Sequence, residues 1–213
     1  MNEAWEFLKD LTDPESIIKI GGLALLLFVI FAETGLLIGF FLPGDSLVFI
    51  SGLSVDLLDI HISVLILSLA GAAILGNIAG YAFGWKVGPP LFKRDDSLIF
   101  KKRYMEVTKS FYDRNGAWAL VFGRFLPIIR TFAPILAGVI KVDFKKFMVY
   151  NVLGAFLWIG SLSLAGYYLG QYDWVRDNVE YIVIGLIIIT LIPVVRTYRK
   201  ERAMMKGKKP DQL

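Results

Sequence analysis

Two arginines, Arg124 and Arg130, lie inside the apolar stretch 117–140, and two acids, Glu33 and Asp45, lie in an equally apolar stretch nearer the N-terminal end. An ionised side chain at the centre of a bilayer costs roughly 2.5–3.5 kcal/mol on insertion scales, so four unpaired ones would cost on the order of 10 kcal/mol. Side chains that costly point to charged cargo. Arginine is permanently charged and offers a planar fork suited to phosphate oxygens, which makes Arg124 and Arg130 the expected binding residues for a phosphorylated lipid headgroup. A carboxylate withdrawn from water protonates more readily, which makes Glu33 and Asp45 the expected proton-coupling pair. A proton arriving on the acids would then compete with an anion at the arginines. The structural alternative is mutual neutralisation, two buried ion pairs that only fix packing. Such pairs seldom outperform apolar packing, so that role alone explains the four residues poorly.

The elements that position these residues read as membrane. The chain has 213 residues, 56% of them hydrophobic, with a mean hydropathy of +0.60 and a net charge of +4, more apolar than a soluble core requires. Glu3 and Glu6 precede the first apolar run, so a cleaved secretory signal is not expected. Cysteine is absent, which removes disulfides, thiol catalysis and thiolate metal sites. No nucleic-acid motif is present, and the basic charge gathers in loops and the C-terminal tail, as suits an anionic leaflet.

Residues 1–16 read as an amphipathic N-terminal segment, 17–170 as the membrane domain, 171–195 as a C-terminal transmembrane helix and 196–213 as a basic tail. Within the domain, 17–42 is apolar apart from Lys19 and Glu33, and Pro43-Gly44-Asp45 breaks it. The following run, 47–55, is too short to span alone. Residues 62–88 are long enough to span, and Ser68, Ala72, Gly76, Gly80, Gly84 and Gly88 recur along one face, a small-residue stripe that lets another backbone approach. Asn77 beside that stripe either bonds a neighbouring helix or lines a polar cavity. Residues 147–170 form a second span and 181–195 a short third.

Loop charge sets orientation. The stretch 92–116 carries seven Lys/Arg against four acids and the tail from Arg196 seven against two, and 141–146 is also basic, which places all three in the cytoplasm. Segment 117–140 therefore enters and leaves on one side, bent at Pro127 and Pro134, as a re-entrant hairpin with Arg124 and Arg130 near its tip. The first half reads the same way inverted, with its break at Pro43-Gly44. The expected fold is an all-α polytopic membrane protein: an inverted-topology repeat with two opposed re-entrant hairpins and about three full transmembrane spans. Broken helices in such repeats meet near the midplane and build substrate sites there. The weak point is 17–42, long enough to cross fully.

Catalytic and metal sites find no support. The single histidine, His61, lies at a membrane edge, and no acid or histidine pairs show ligand spacing. Thr131 and Ser46 read as helix caps or backbone partners rather than nucleophiles. Intramembrane phosphatases use arginines and acids but also need a histidine at depth, so an enzyme is not expected, and no cofactor or metal is called for.

The run Glu33-Thr-Gly-Leu-Leu-Ile-Gly-Phe-Phe-Leu-Pro43-Gly44-Asp45 resembles the acidic signature of the DedA family, also called SNARE-associated or VTT-domain membrane proteins. Phe122-Gly123-Arg124-Phe-Leu-Pro127-Ile-Ile-Arg130-Thr131 resembles its second signature, and Ala137-Gly138, Phe147, Asn151 and Trp158 continue the pattern. The resemblance covers roughly 17–170. It implies a bacterial inner-membrane protein, multi-pass with a cytoplasmic C-terminus, that supports envelope homeostasis by moving lipid between leaflets. Implied partners are protons and membrane lipids, a polyprenyl phosphate such as undecaprenyl phosphate or a phospholipid; a homo-oligomer is compatible with it. Glu33, Asp45, Arg124 and Arg130 carry over as functional residues, with Pro43, Gly44, Gly123, Pro127, Thr131 and Asn151 supporting the hairpin motifs. The leading expectation is a proton-linked lipid transporter of flippase or scramblase type. The alternatives are a proton-coupled antiporter of small cations or cationic drugs, and a non-transporting membrane assembly factor.

Overall fold

The computed structural model describes residues 14–36, 44–91, 114, 116–125, 127–179, 181–182 and 184–185. Every regular element among them is helical. In chain order they are α1 (Pro14–Gly35), α2 (Gly44–Leu53), α3 (Ile62–Leu91), the short α4 (Ala119–Phe122), α5 (Pro127–Val139), α6 (Phe144–Leu169) and α7 (Asp173–Asp177). Turns of 3-10 helix precede α3 at Val55–Leu58 and flank α4 at Gly116–Trp118 and Gly123–Phe125. The amphipathic segment expected at 1–16 lies outside the described residues except at its end, as do Pro43, most of the basic stretch 92–116 and the tail from 196. The expected helix at 181–195 is described only as far as 185, helical where described.

Among the described residues two helices are long and apolar enough to cross a membrane, Ile62–Val87 and Phe144–Leu169. Their outward faces carry large apolar side chains, Leu67, Leu75, Val149, Leu153 and Leu157, all exposed. Water would not favour such continuous apolar faces on two long helices. Between them the core is built by Leu26 and Ile30 of α1, Leu47 and Ile50 of α2, Leu65 and Leu69 of α3, and Trp158 and Ile159 of α6. A second, smaller cluster joins Tyr81, Leu120, Ile129, Ala137 and Phe147.

The small-residue stripe packs as its spacing predicts. Gly76 faces α1, where a β-carbon on Gly35 would lie 2.7 Å from the Gly76 carbonyl oxygen, and Gly84 faces α5 against the Ile135 carbonyl. Gly80, between them, is looser: a β-carbon there would stand 3.5 Å from Ile135, an ordinary contact. Gly138 of α5 returns the approach, with the Tyr81 carbonyl occupying the place of a side chain. The same device joins α2 to α6, where Gly52 meets the Ser163 carbonyl and Gly166 the Phe49 carbonyl.

The basic stretch 141–146 is not a loop throughout. Helix α5 closes with Val142 N–H donating to the Ala137 carbonyl (2.9 Å) and Lys141 N–H to Gly138 (3.1 Å), with Lys141 left-handed at φ 54°. This Schellman-type closure satisfies carbonyls that the helix end would orphan. Asp143 then caps α6 by accepting from Lys146 N–H (3.0 Å). The turn is therefore four residues or so, and Lys145 and Lys146 belong to the first turn of α6. Tyr81 pins it from α3 through its hydroxyl on the Val142 carbonyl (2.7 Å).

Candidate functional site

Each charged residue sits beside a break in the helices. Glu33 lies in the last turn of α1 and Asp45 in the first turn of α2, on either side of 36–43. Arg124 lies in the 3-10 turn Gly123–Phe125, and Arg130 in the first turn of α5. Pro127 opens α5 at a position where its missing N–H would have no helical acceptor. In the sequence, glycine and proline interrupt the apolar periodicity at both places.

Arg130 joins the two breaks. Its Nη1 donates to Asp45 Oδ1 at 2.6 Å and its Nη2 to Glu33 Oε1. Arg130 and Glu33 are buried, and the Asp45 side chain is 22% exposed. Trp158 of α6 completes this group. Its indole N–H donates to the same Asp45 Oδ1 at 2.9 Å, and its ring lies under the Arg130 guanidinium at 4.5 Å. Gly44 leaves the space that the Glu33 carboxylate fills, since a β-carbon there would overlap that carboxylate. Thr131 is buried beside Arg130 in the same turn.

Arg124 takes no part in these ion pairs, so the structural alternative of two mutual pairs holds for Arg130 and not for Arg124. Its Nη2 donates to the Asn151 side-chain oxygen and to the Asn151 carbonyl at 3.1 Å. Asn151 is held in turn by its own amide N–H₂ on the Ile74 carbonyl (3.3 Å). Asn77 closes the group from α3: with its amide oxygen turned to the guanidinium, its nitrogen donates to the Thr34 carbonyl at 3.2 Å. Asn77 is thus a bond to neighbouring helices. Gly154, one turn beyond Asn151, admits the arginine stem; a β-carbon there would lie 2.9 Å from Nε. Gly123 is buried at the turn itself.

Fully ionised, Glu33, Asp45 and Arg130 sum to one negative charge, and Arg124 adds a positive charge that no acid among the described residues pairs with. Within the described residues no group of acids and histidines could hold a metal ion. His61, exposed, bonds Ser63 Oγ at 2.8 Å at the start of α3.

Trp158 and Gly154 were not singled out for the site from the residues themselves, and a signal for both existed. Asn151, Gly154, Ala155 and Trp158 share one face of a helix at the spacing of successive turns, and a buried tryptophan needs an acceptor for its N–H.

The family model of the VTT domain matches residues 24–168. Protein DedA of Escherichia coli K12 is 36% identical over 189 residues, covering 87% of this chain and 86% of its own length. An uncharacterized membrane protein of Mycobacterium leprae is 39% identical over 180 residues, 84% of this chain and 81% of its own. The inner membrane protein YghB of Salmonella typhimurium is 31% identical over 160 residues, 75% of this chain and 73% of its own. No solved structure matches.

Proposed function

This chain belongs to the VTT-domain (DedA) family of membrane proteins, and from that premise we propose that it moves an anionic or phosphorylated lipid between leaflets, as a flippase or scramblase linked to the proton-motive force. The substrate class is a polyprenyl phosphate such as undecaprenyl phosphate, or a phospholipid. The observation that supports this most is the Arg130 bridge, which ties carboxylates from both sides of one helix break to the helix that follows the other. A proton taken by Glu33 or Asp45 removes one of the charges that hold Arg130 and loosens the bridge between the two breaks. Loosening that bridge as an anion is handled on the arginine side couples the two ions.

The architecture we propose puts that exchange at depth. Helices α2 and α5 have 10 and 13 residues, so at about 1.5 Å per residue they reach about 15 and 20 Å, short of a hydrocarbon core about 30 Å thick. Each is read as one limb of a re-entrant hairpin, the two entering from opposite faces, with α3, α6 and the segment beyond α7 as the full spans. The protein would lie in the bacterial inner membrane with its C-terminus in the cytoplasm. Cysteines introduced at Asp96 and Lys145 should both be labelled from the cytoplasmic side alone; labelling from opposite sides would make 117–140 a true span.

Transport is tested in proteoliposomes with labelled undecaprenyl phosphate and labelled phosphatidylethanolamine in separate preparations. The expected result is leaflet exchange above that of protein-free vesicles, accelerated by an imposed pH gradient, with the acceleration lost in Glu33→Gln or Asp45→Asn. Exchange of neither lipid refutes the reading.

A further inference from the structure

The two arginines differ in what neutralises them. Arg130 has two carboxylates on its terminal nitrogens and an indole ring under its face. Arg124 is 2% exposed, yet every partner it has among the described residues is a neutral oxygen, all of them on Nη2. Its Nε and Nη1 carry no partner there. A buried cation without a counter-charge is the most costly arrangement a protein interior offers, and open guanidinium N–H groups are suited to an oxyanion.

We infer that Arg124 alone seats the phosphate oxyanion, that Arg130 is a latch closed on the acids rather than a second binding arginine, and that the counter-charge of Arg124 is supplied by the ligand. The inference narrows the anion-handling half of the proposed function and rests on that reading for the cargo being a lipid. Asn151 and Asn77 orient the guanidinium without neutralising it. That distinguishes a binding seat from an ion pair: an aspartate in the place of Asn151 would fill the seat from within. The ligand chemistry is a phosphate group, carried by a lipid or free in solution.

The test is isothermal titration of the full-length protein in neutral maltoside micelles, with dodecyl phosphate and inorganic phosphate as separate probes. Wild type should bind dodecyl phosphate. Asn151→Asp should lower the affinity at least about tenfold, the scale of a lost charge-assisted contact, with thermal stability kept or raised. Arg124→Lys should weaken binding to a similar degree, and Arg130→Lys by less than about threefold, since a partner already neutralised contributes little to a new anion. Gly154→Ala, which crowds Nε at 2.9 Å, should weaken binding, whereas Gly160→Ala on the same helix, with nothing within 4 Å, should not. Tight binding of inorganic phosphate with the same variant pattern keeps the seat and makes the free ion a ligand. Absence of binding by either probe overturns the inference, as does unchanged binding in Asn151→Asp or an Arg130→Lys loss equal to that of Arg124→Lys. Leaflet exchange is scored apart: this binding pattern in a protein that moves no lipid keeps the seat and removes transport, and exchange with the pattern absent does the reverse.

Discussion

Helices α1–α3 and α4–α6 form two halves that pack by one device and carry opposite charge. In each, a short helix leaves its own half and lies along the long helix of the other, α2 on α6 and α5 on α3. Each contact uses one glycine from either partner, Gly52 with Gly166 and Gly138 with Gly84, every one of them against a facing carbonyl. The residues beside the breaks do not repeat. The first half brings Glu33 and Asp45, the second Arg124 and Arg130. Packing is duplicated because close backbone approach suits any pair of helices in lipid. Charge is divided because four like charges in one place could not be buried, whereas acids and bases from separate halves neutralise each other only once the halves meet.

The largest expected effect breaks the symmetry between the two arginines. Arg130→Met leaves the buried Glu33 and the partly exposed Asp45 side by side without their shared cation, and breaking a buried pair in this way typically costs about 3–5 kcal/mol. Arg124→Met removes a cation that has no acid among the described residues, so its cost should stay near or below about 1 kcal/mol, because relieved desolvation offsets the lost hydrogen bonds. Thermal unfolding in detergent, without anionic lipid, compares the two. Equal losses would mean that Arg124 is neutralised by the protein after all.

A middle-sized effect sharpens the packing comparison. Gly84→Ala and Gly166→Ala each press a methyl group onto a backbone carbonyl, of Ile135 and Phe49 respectively, which cannot rotate away. Each should cost about 2–3 kcal/mol, the upper part of the usual overpacking range. Gly80→Ala, at 3.5 Å from its nearest neighbour, and Gly71→Ala, with nothing within 4 Å, should cost far less. The prediction is a matched pair, one per half. If Gly84→Ala is severe and Gly166→Ala mild, the two interfaces are not equivalent, and the halves do not share their packing.

Much of this was legible in the sequence because its signals are local or costly. The small-residue stripe announced itself by spacing, and α3 bears it out at Gly76 and Gly84. The four charges stood out against apolar neighbours, and three of them do meet in one cluster. What the sequence leaves open is pairing across long separations. Which guanidinium faces which acid depends on helices brought together from 85 and 97 residues apart, and nothing local distinguishes Arg130 from Arg124. Room for a side chain is equally non-local: Gly44 and Gly154 read as a turn residue and a helix residue, and only the fold puts a carboxylate over one and a guanidinium over the other. The end of the basic stretch at 141–146 was blurred for a different reason. Its lysines masked the Asp143 cap, whose single hydrogen bond starts α6 inside it.

The smallest expected effect concerns the residue that touches both halves of the ion cluster, Trp158. Its N–H and Arg130 Nη1 converge on one oxygen of Asp45, while its ring supports the guanidinium. Trp158→Phe keeps an aromatic face, so most of the cation–π contact survives, and removes only the donor. Asp45 retains Arg130 and is partly open to solvent, so the loss should fall below the usual range for a hydrogen bond to a charged group, at about 1 kcal/mol. The measurement is a double-mutant cycle, Trp158→Phe made in the parent and in Asp45→Ala, with unfolding followed in detergent. If the N–H acts through Asp45, the phenylalanine costs about 1 kcal/mol in the parent and only a few tenths once the carboxylate is gone. Equal cost in both backgrounds would show that the indole serves by filling space alone, and Asp45 would then depend on Arg130 for its position across the two halves.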